Sequence, residues 1–294
     1  MTSLRSDALA IWHSAVAAVR PRPLVADAVR SLKLSGRVIV VGCGKAGAEM
    51  AAGVEDVLPE AIGLVNVPAD CTAPLQRIRL HPARPAASNF PTAEGVTGAE
   101  EMLRLLSSAG PGDTALCLIS GGGSALLPCP AAGVSLESKL AVTKLLHASG
   151  ATIGEMNCVR KHLSRVKGGR LAEAFRGGRL VSLIISDVVG DPLDVIASGP
   201  TAPDPTTFAD AKQILESYGL WHRCPPDVTS HIQKGCDGTE PDTPKVLPAS
   251  VENRVIGNNA LALTAAHRTA EHLGYRVLDL GPFIEGETKD VAAT

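Results

Sequence analysis

Short β-branched runs alternate along the chain with longer stretches of helical periodicity. Arg37-Val-Ile-Val-Val41, Ile62 to Val67, Thr114 to Ile119 and Leu180 to Ile185 predict strands. The last is apolar on both pleat faces apart from Ser182, the pattern of a strand covered on two sides in a parallel sheet. Helical patterns run over about residues 45–58, 92–107 and 136–148, and Pro205-Thr206 opens another that Gly219 closes after Tyr218. Ala8 to Val19 reads as an amphipathic helix rather than a leader, because Asp7 sits at its edge and His13 interrupts it. Strand and helix in alternation predict an α/β fold, a mostly parallel sheet with helices on both faces. In such sheets ligands sit beyond the carboxyl ends of the strands, so the chemistry is expected directly after strands.

Pro, Asp, Gly and Thr gather between Pro225 and Ser250, which marks a boundary or long connection. Beyond it, Arg254 to Gly257, Asn258 to Leu273 and Tyr275 to Leu280 read as strand, helix and strand. The expected division is a first domain over 1–240 and the start of a smaller α/β domain over 241–294. One β-α-β unit cannot cover its own faces, and Glu285 to Thr294 open a further helix and then end. The second domain is therefore expected to be unfinished.

Composition narrows the function classes. With 294 residues, 45% of them hydrophobic, the chain can bury a large core, and 3% aromatics means that Ala, Val, Leu and Ile build it. A net charge of -2 argues against a nucleic-acid binder or a membrane-surface protein, so any anion must be held locally. No apolar run approaches the length that crosses a bilayer. Cys43, Cys71, Cys117, Cys129, Cys158, Cys224 and Cys236 include no C-x-x-C pair, so reduced thiols of a cytoplasmic protein are expected rather than zinc or a disulfide framework.

Three polar, glycine-rich segments follow predicted strands. Gly42-Cys-Gly44-Lys45-Ala-Gly47 has the form of a dinucleotide fingerprint, in which glycines admit phosphate to a helix N-terminus. The second strand, however, ends in Asn66-Val-Pro68 without the expected acid, and Lys45 brings a cation instead. Ser120-Gly121-Gly122-Gly123-Ser124 offers hydroxyls and free N–H groups to an anion; the alternative is a tight structural turn. Asp187 and Asp191, after the buried strand, are candidates to hold Mg²⁺ or to accept a proton, or else to cap a turn. Between these lies a basic stretch from Asn157 to Arg170. At helical spacing Arg160, Ser164 and Lys167 share one face and Lys161 the neighbouring stripe, as an anion-recognition surface or a solvated one.

GCGKAG, LISGGGSALLP, HASGATIGEMNCVRKHLSRVKGGRLA, SDVVGDPLDVIASGPTAPDPTTFADA and VIGNNALAL together resemble the glycerate 2-kinase (MOFRL-type) family, from about Leu9 onward. The resemblance implies a Rossmann-like, doubly wound domain closed by a smaller α/β domain. It implies transfer of the γ-phosphate of ATP to the 2-hydroxyl of D-glycerate, with Mg²⁺. By that resemblance Lys45 and Asp187 are catalytic, and Asp187 and Asp191 hold the metal. Substrate or nucleotide would be bound by Gly44, Ser120, Gly121, Gly122, Gly123, Ser124, Arg160, Lys161, Ser164, Lys167, Asn258 and Asn259. The implied partners are small molecules, with no nucleic acid and no membrane, and a homodimer is compatible. The family's later glycine-rich block, with an arginine implied in catalysis, does not occur in the chain, so a shortened and inactive form is one expectation. Two other readings stay open: an NAD-dependent dehydrogenase of a small hydroxy acid, from the glycine loop, and a non-catalytic metabolite-binding fragment.

Overall fold

The computed structural model describes residues 3–284 and 286–291. In chain order the elements are α1 (Leu4–Ala18), α2 (Pro21–Ser31), β1 (Val38–Cys43), α3 (Gly47–Glu55), β2 (Ile62–Pro68), β3 (Ile78–Arg84), α4 (Ala93–Ser107), β4 (Thr114–Ile119) and α5 (Gly123–Leu126). There follow α6 (Leu136–Ala148), α7 (Ile153–His162), α8 (Arg170–Glu173), β5 (Arg179–Ile185), α9 (Phe208–Ser217), α10 (Pro226–Cys236), β6 (Val251–Gly257), α11 (Asn259–His272) and α12 (Thr288–Val291).

The strands form one sheet in the order β3-β2-β1-β4-β5-β6, and every pairing is parallel. This is the doubly wound order, whose direction of growth reverses between β1 and β4. Alternate residues of β1 show how it is covered: Ile39, Val41 and Cys43 belong to a cluster with Met102, Leu106 and Leu171, whereas Val40 packs with Val25, Val29, Met50 and Val54. A third cluster, around Leu146, Val159, Phe208 and Ile232, joins α6, α7, α9 and α10 beside the sheet. Local chemistry fixes the helix ends. Thr152 with Glu155, and Thr207 with Asp210, form capping boxes, and Gly219 takes a left-handed φ of 65° just past α9.

Several elements differ from the sequence reading. β3 was not expected, since His81 and Pro82 interrupt its pattern; an edge strand tolerates the missing N–H of a proline. β6, expected within the start of a second domain, pairs with β5 as the sixth strand of the same sheet. Tyr275 to Leu280 forms no regular strand and adds nothing to the free edge of β6. The basic stretch is not one helix. α7 stops at His162, Ser164 bridges to Pro130, and Gly168 and Gly169 turn left-handed at φ 58° and 86°. The face expected from helical spacing for Arg160, Ser164 and Lys167 therefore does not exist. Among the described residues no helix is long and apolar enough to cross a membrane, and all seven cysteines are free.

Candidate active site

The two glycine loops leave the adjacent strands β1 and β4, at the place where the sheet reverses. Backbone bonds tie them together. Ser120 N donates to Cys43 O (3.1 Å), Lys45 N donates to Gly121 O (2.9 Å), and the Ser120 hydroxyl accepts from Ala46 N (3.1 Å). Gly44 has φ 145°, and a Cβ there would meet Ser120 Oγ at 2.0 Å, so only glycine allows this approach. Ser120 itself is buried and works as a staple.

Around the triple-glycine loop the side chains converge. A Cβ on Gly121 would lie 2.4 Å from Asp187 Oδ2, and one on Gly122 would lie 3.3 Å from Lys45 Cε and 3.6 Å from Arg84 Nη2. Lys45, Asp187 and Arg84 thus meet the same two glycines from the ends of β1, β5 and β3. Arg84 was missed in the sequence, where it stands at the end of an unrecognised strand. It is 3% exposed, and its Nε has no partner. Gly123 lies against Cys43 Sγ and Ala197 Cβ and starts α5.

One residue along, the Ser124 hydroxyl accepts from Arg160 Nη2 (2.5 Å) and Lys167 Nζ (3.0 Å) and meets Ser198 Oγ at 2.9 Å. Lys167 also donates to Ser124 O and Ala197 O. Ala197 and Ser198 hold left-handed φ of 52° and 63°, strain of the kind that gathers at functional sites. Burial pushes the Lys167 ammonium well below its ordinary pKa, and nearby Arg160 and Lys139 push the same way. Burial lowers Arg160 as well.

The remaining expected residues separate. Lys161, 2% exposed, points away from the loops to Asp204 (3.2 Å) and Asp194 (3.4 Å), because adjacent helix positions face different directions. Ser164 donates to Cys129 O and accepts from Val166 N and Lys167 N, so it shapes the turn. Asp191, Asn258 and Asn259 line a cavity of about 310 Å³ beyond β5 and β6, which Asp187 joins to the triple-glycine loop. Asn258 caps α11 by accepting from Leu261 N and donates to Asp191 Oδ2 (2.5 Å). Mg²⁺ with a nucleotide commonly uses one or two carboxylates plus phosphates and water. Asp187 and Asp191 fit that donor set, while among the described residues no cluster of three or more His, Cys, Asp or Glu makes an all-protein cage.

Residues 7–233 match the family described as "Domain of unknown function (DUF4147)". The chain is 40% identical over 298 residues to the glycerate 2-kinase of Pyrococcus horikoshii, covering 98% of this chain and 67% of that protein. The chain belongs to the glycerate 2-kinase (DUF4147) family. Another member, named putative hydroxypyruvate reductase, from Agrobacterium vitis, is 40% identical over 96% of this chain and 62% of its own length. Within the family, the crystal structure of glycerate kinase from Thermotoga maritima superposes with a TM-score of 0.83 at 37% identity, over 92% of this chain and 63% of that one. The chain thus spans about two thirds or less of its relatives' length.

Proposed function

We propose that this chain carries the phosphoryl-transfer site of a glycerate 2-kinase, which moves the γ-phosphate of ATP to the 2-hydroxyl of D-glycerate and gives 2-phosphoglycerate. The observation that carries the reading is the meeting of Lys45, Arg84 and Asp187 at Gly121 and Gly122, where β1 and β4 diverge. Phosphoryl transfer needs positioning and charge neutralisation more than covalent chemistry. N–H groups of Gly121 and Gly122 and the α3 N-terminus cradle phosphate oxygens, and Lys45 and Arg84 offset charge that grows on them in the transition state. Asp187 takes the proton of the attacking 2-hydroxyl, whose oxygen bonds to phosphorus as the bond to the ADP oxygen breaks. Bound Mg²⁺ would be held by Asp187 and Asp191 and would neutralise phosphate charge.

The names of the relatives support both a kinase and a reductase. A nicotinamide site wants an acid at the end of β2. Asn66 stands there instead, 0% exposed, donating to Gly95 O and Leu126 O. That favours the kinase. The pairing of β6 with β5 favours a domain boundary after Gly257 over one at 240. Free, mostly buried thiols and the need for ATP favour the cytoplasm.

The test is incubation of the chain with Mg-ATP and D-glycerate, with products read by phosphorus NMR. 2-Phosphoglycerate supports the proposal. NADH consumption with hydroxypyruvate, and no phosphorylated product, overturns it.

A further inference from the structure

Behind Ser124 lies a cavity of about 200 Å³, lined by Lys139, Arg160 and Lys167 and walled by Pro128 and Leu140. Lys139 and Lys167 are 6% and 1% exposed. The three cations make no ion pair among the described residues. Lys139 donates to Leu163 O (2.9 Å), Arg160 to Ser124 Oγ and Asn157 Oδ1, and Lys167 to Ser124 and Ala197 oxygens, all of them neutral acceptors. Two buried lysines and the half-buried Arg160, without a counter-ion, repel one another, and a fold keeps them where an anion arrives.

We propose that this cavity is the acceptor subsite, in which Lys139, Arg160, Lys167 and the Ser124 hydroxyl hold the carboxylate of a small hydroxy acid. Naming the acid as glycerate rests on the kinase reading; the anion pocket itself does not. Size selects the ligand: the cavity is below the roughly 300–1,000 Å³ of pockets for drug-sized molecules, so it takes a small acid and not a nucleotide. Position agrees as well. Ser124 is two residues from Gly122, a span of at most about 7 Å, so an acid held here keeps its 2-hydroxyl near the loop that Lys45 meets. Lys139 is the new element. It lies on the buried stripe of α6 with Val142 and Leu146, where a lysine contributes nothing to packing that an apolar residue would not.

Calorimetric titration of the full chain with D-glycerate, inorganic phosphate and Mg-ADP, repeated on Lys139→Met, separates the outcomes. We expect glycerate to bind the parent in preference to phosphate, and the variant to bind it at least about tenfold more weakly, a loss of about 1.4 kcal/mol. Mg-ADP affinity is expected to stay the same, and the variant to melt no lower than the parent, since one of three repelling charges is gone. Unchanged glycerate affinity in the variant, preference of the parent for phosphate, or no glycerate binding by the parent each overturns the subsite. Glycerate binding that depends on Lys139 without any phosphoryl transfer overturns the kinase reading and leaves the subsite standing.

A measurement on the unaltered chain covers the case in which the variant does not fold. Burial, and then Arg160, push Lys139 down to about 7, with Cys129 and Lys167 the other titratable groups facing it. A bound carboxylate raises that value. Titration at about one pH unit above it, in buffers of different protonation enthalpy, is therefore expected to show proton uptake, and its absence refutes the assignment.

Discussion

Replacing Gly44 by alanine tests the junction of the two glycine loops without relying on any activity. The new Cβ meets Ser120 Oγ at 2.0 Å and Ser120 N and O at 2.8 Å, and the backbone must hold φ at 145°. The φ strain costs about 1–3 kcal/mol. The overpacking costs about 1–3 kcal/mol more, because two of the three contacts are backbone and cannot swing away. Together these amount to roughly 2–6 kcal/mol of the ~5–15 kcal/mol that holds a domain folded. For a chain of this size that is a fall in Tm of roughly 5–20 °C. Gly133→Ala is the control, since Gly133 has φ 78° but nothing within 4 Å of its built Cβ, so it carries strain alone. Thermal melting by circular dichroism of the parent and both variants gives the two contributions separately. If Gly44→Ala melts within about 1 °C of Gly133→Ala, the loops do not press on each other and the junction is wrong.

Two further outcomes follow from contacts away from that junction. Asp204→Asn leaves Lys161 buried beside only the half-exposed Asp194 and is expected to cost about 3–5 kcal/mol, measured by denaturant unfolding. Burial pushes the Asp204 carboxyl up, but the Thr206 hydroxyl and Lys161 outweigh it and hold the group below its ordinary value. Its contribution is thus fully present above the unfolded carboxylate range and lost as pH falls through the folded value; the parent's stability should drop in acid more steeply than the variant's. Gly121→Ala puts a Cβ 2.4 Å from Asp187 Oδ2, which forces the carboxylate back by about 1 Å and should lower phosphoryl transfer roughly 100-fold with Tm nearly unchanged. Full turnover in that variant removes Asp187 from the reaction.

Much of this arrangement was legible in the sequence, for identifiable reasons. β1, β2, β4 and β5 are short, mostly apolar runs covered on two faces, so composition and run length gave them away. The loops after β1 and β4 and the acid after β5 then followed from the rule that ligands meet strand ends. β3 was hidden by His81 and Pro82, and with it Arg84. β6 was legible as a strand but not as part of this sheet, since pairing partners leave no local signal. Arg160 and Lys167 do converge, though not through helix periodicity: the Gly168-Gly169 turn and the Pro130–Ser164 bridge bring Lys167 back to Ser124. Lys161 was misplaced because its partner Asp204 lies 43 residues away in sequence. Lys139 had a signal that went unused, a charge in the i, i+3, i+7 stripe with Val142 and Leu146.

The role proposed for Lys45, at the meeting of the two loops, is to neutralise charge during phosphoryl transfer. It is tested most directly by a coupled assay of ADP release with D-glycerate, on the parent chain and on Lys45→Ala. The exposed Lys45 side chain holds no buried packing, so the variant should fold with its Tm unchanged and turn over roughly 100- to 1,000-fold more slowly. Turnover equal to the parent's, in a variant that folds, would contradict the account.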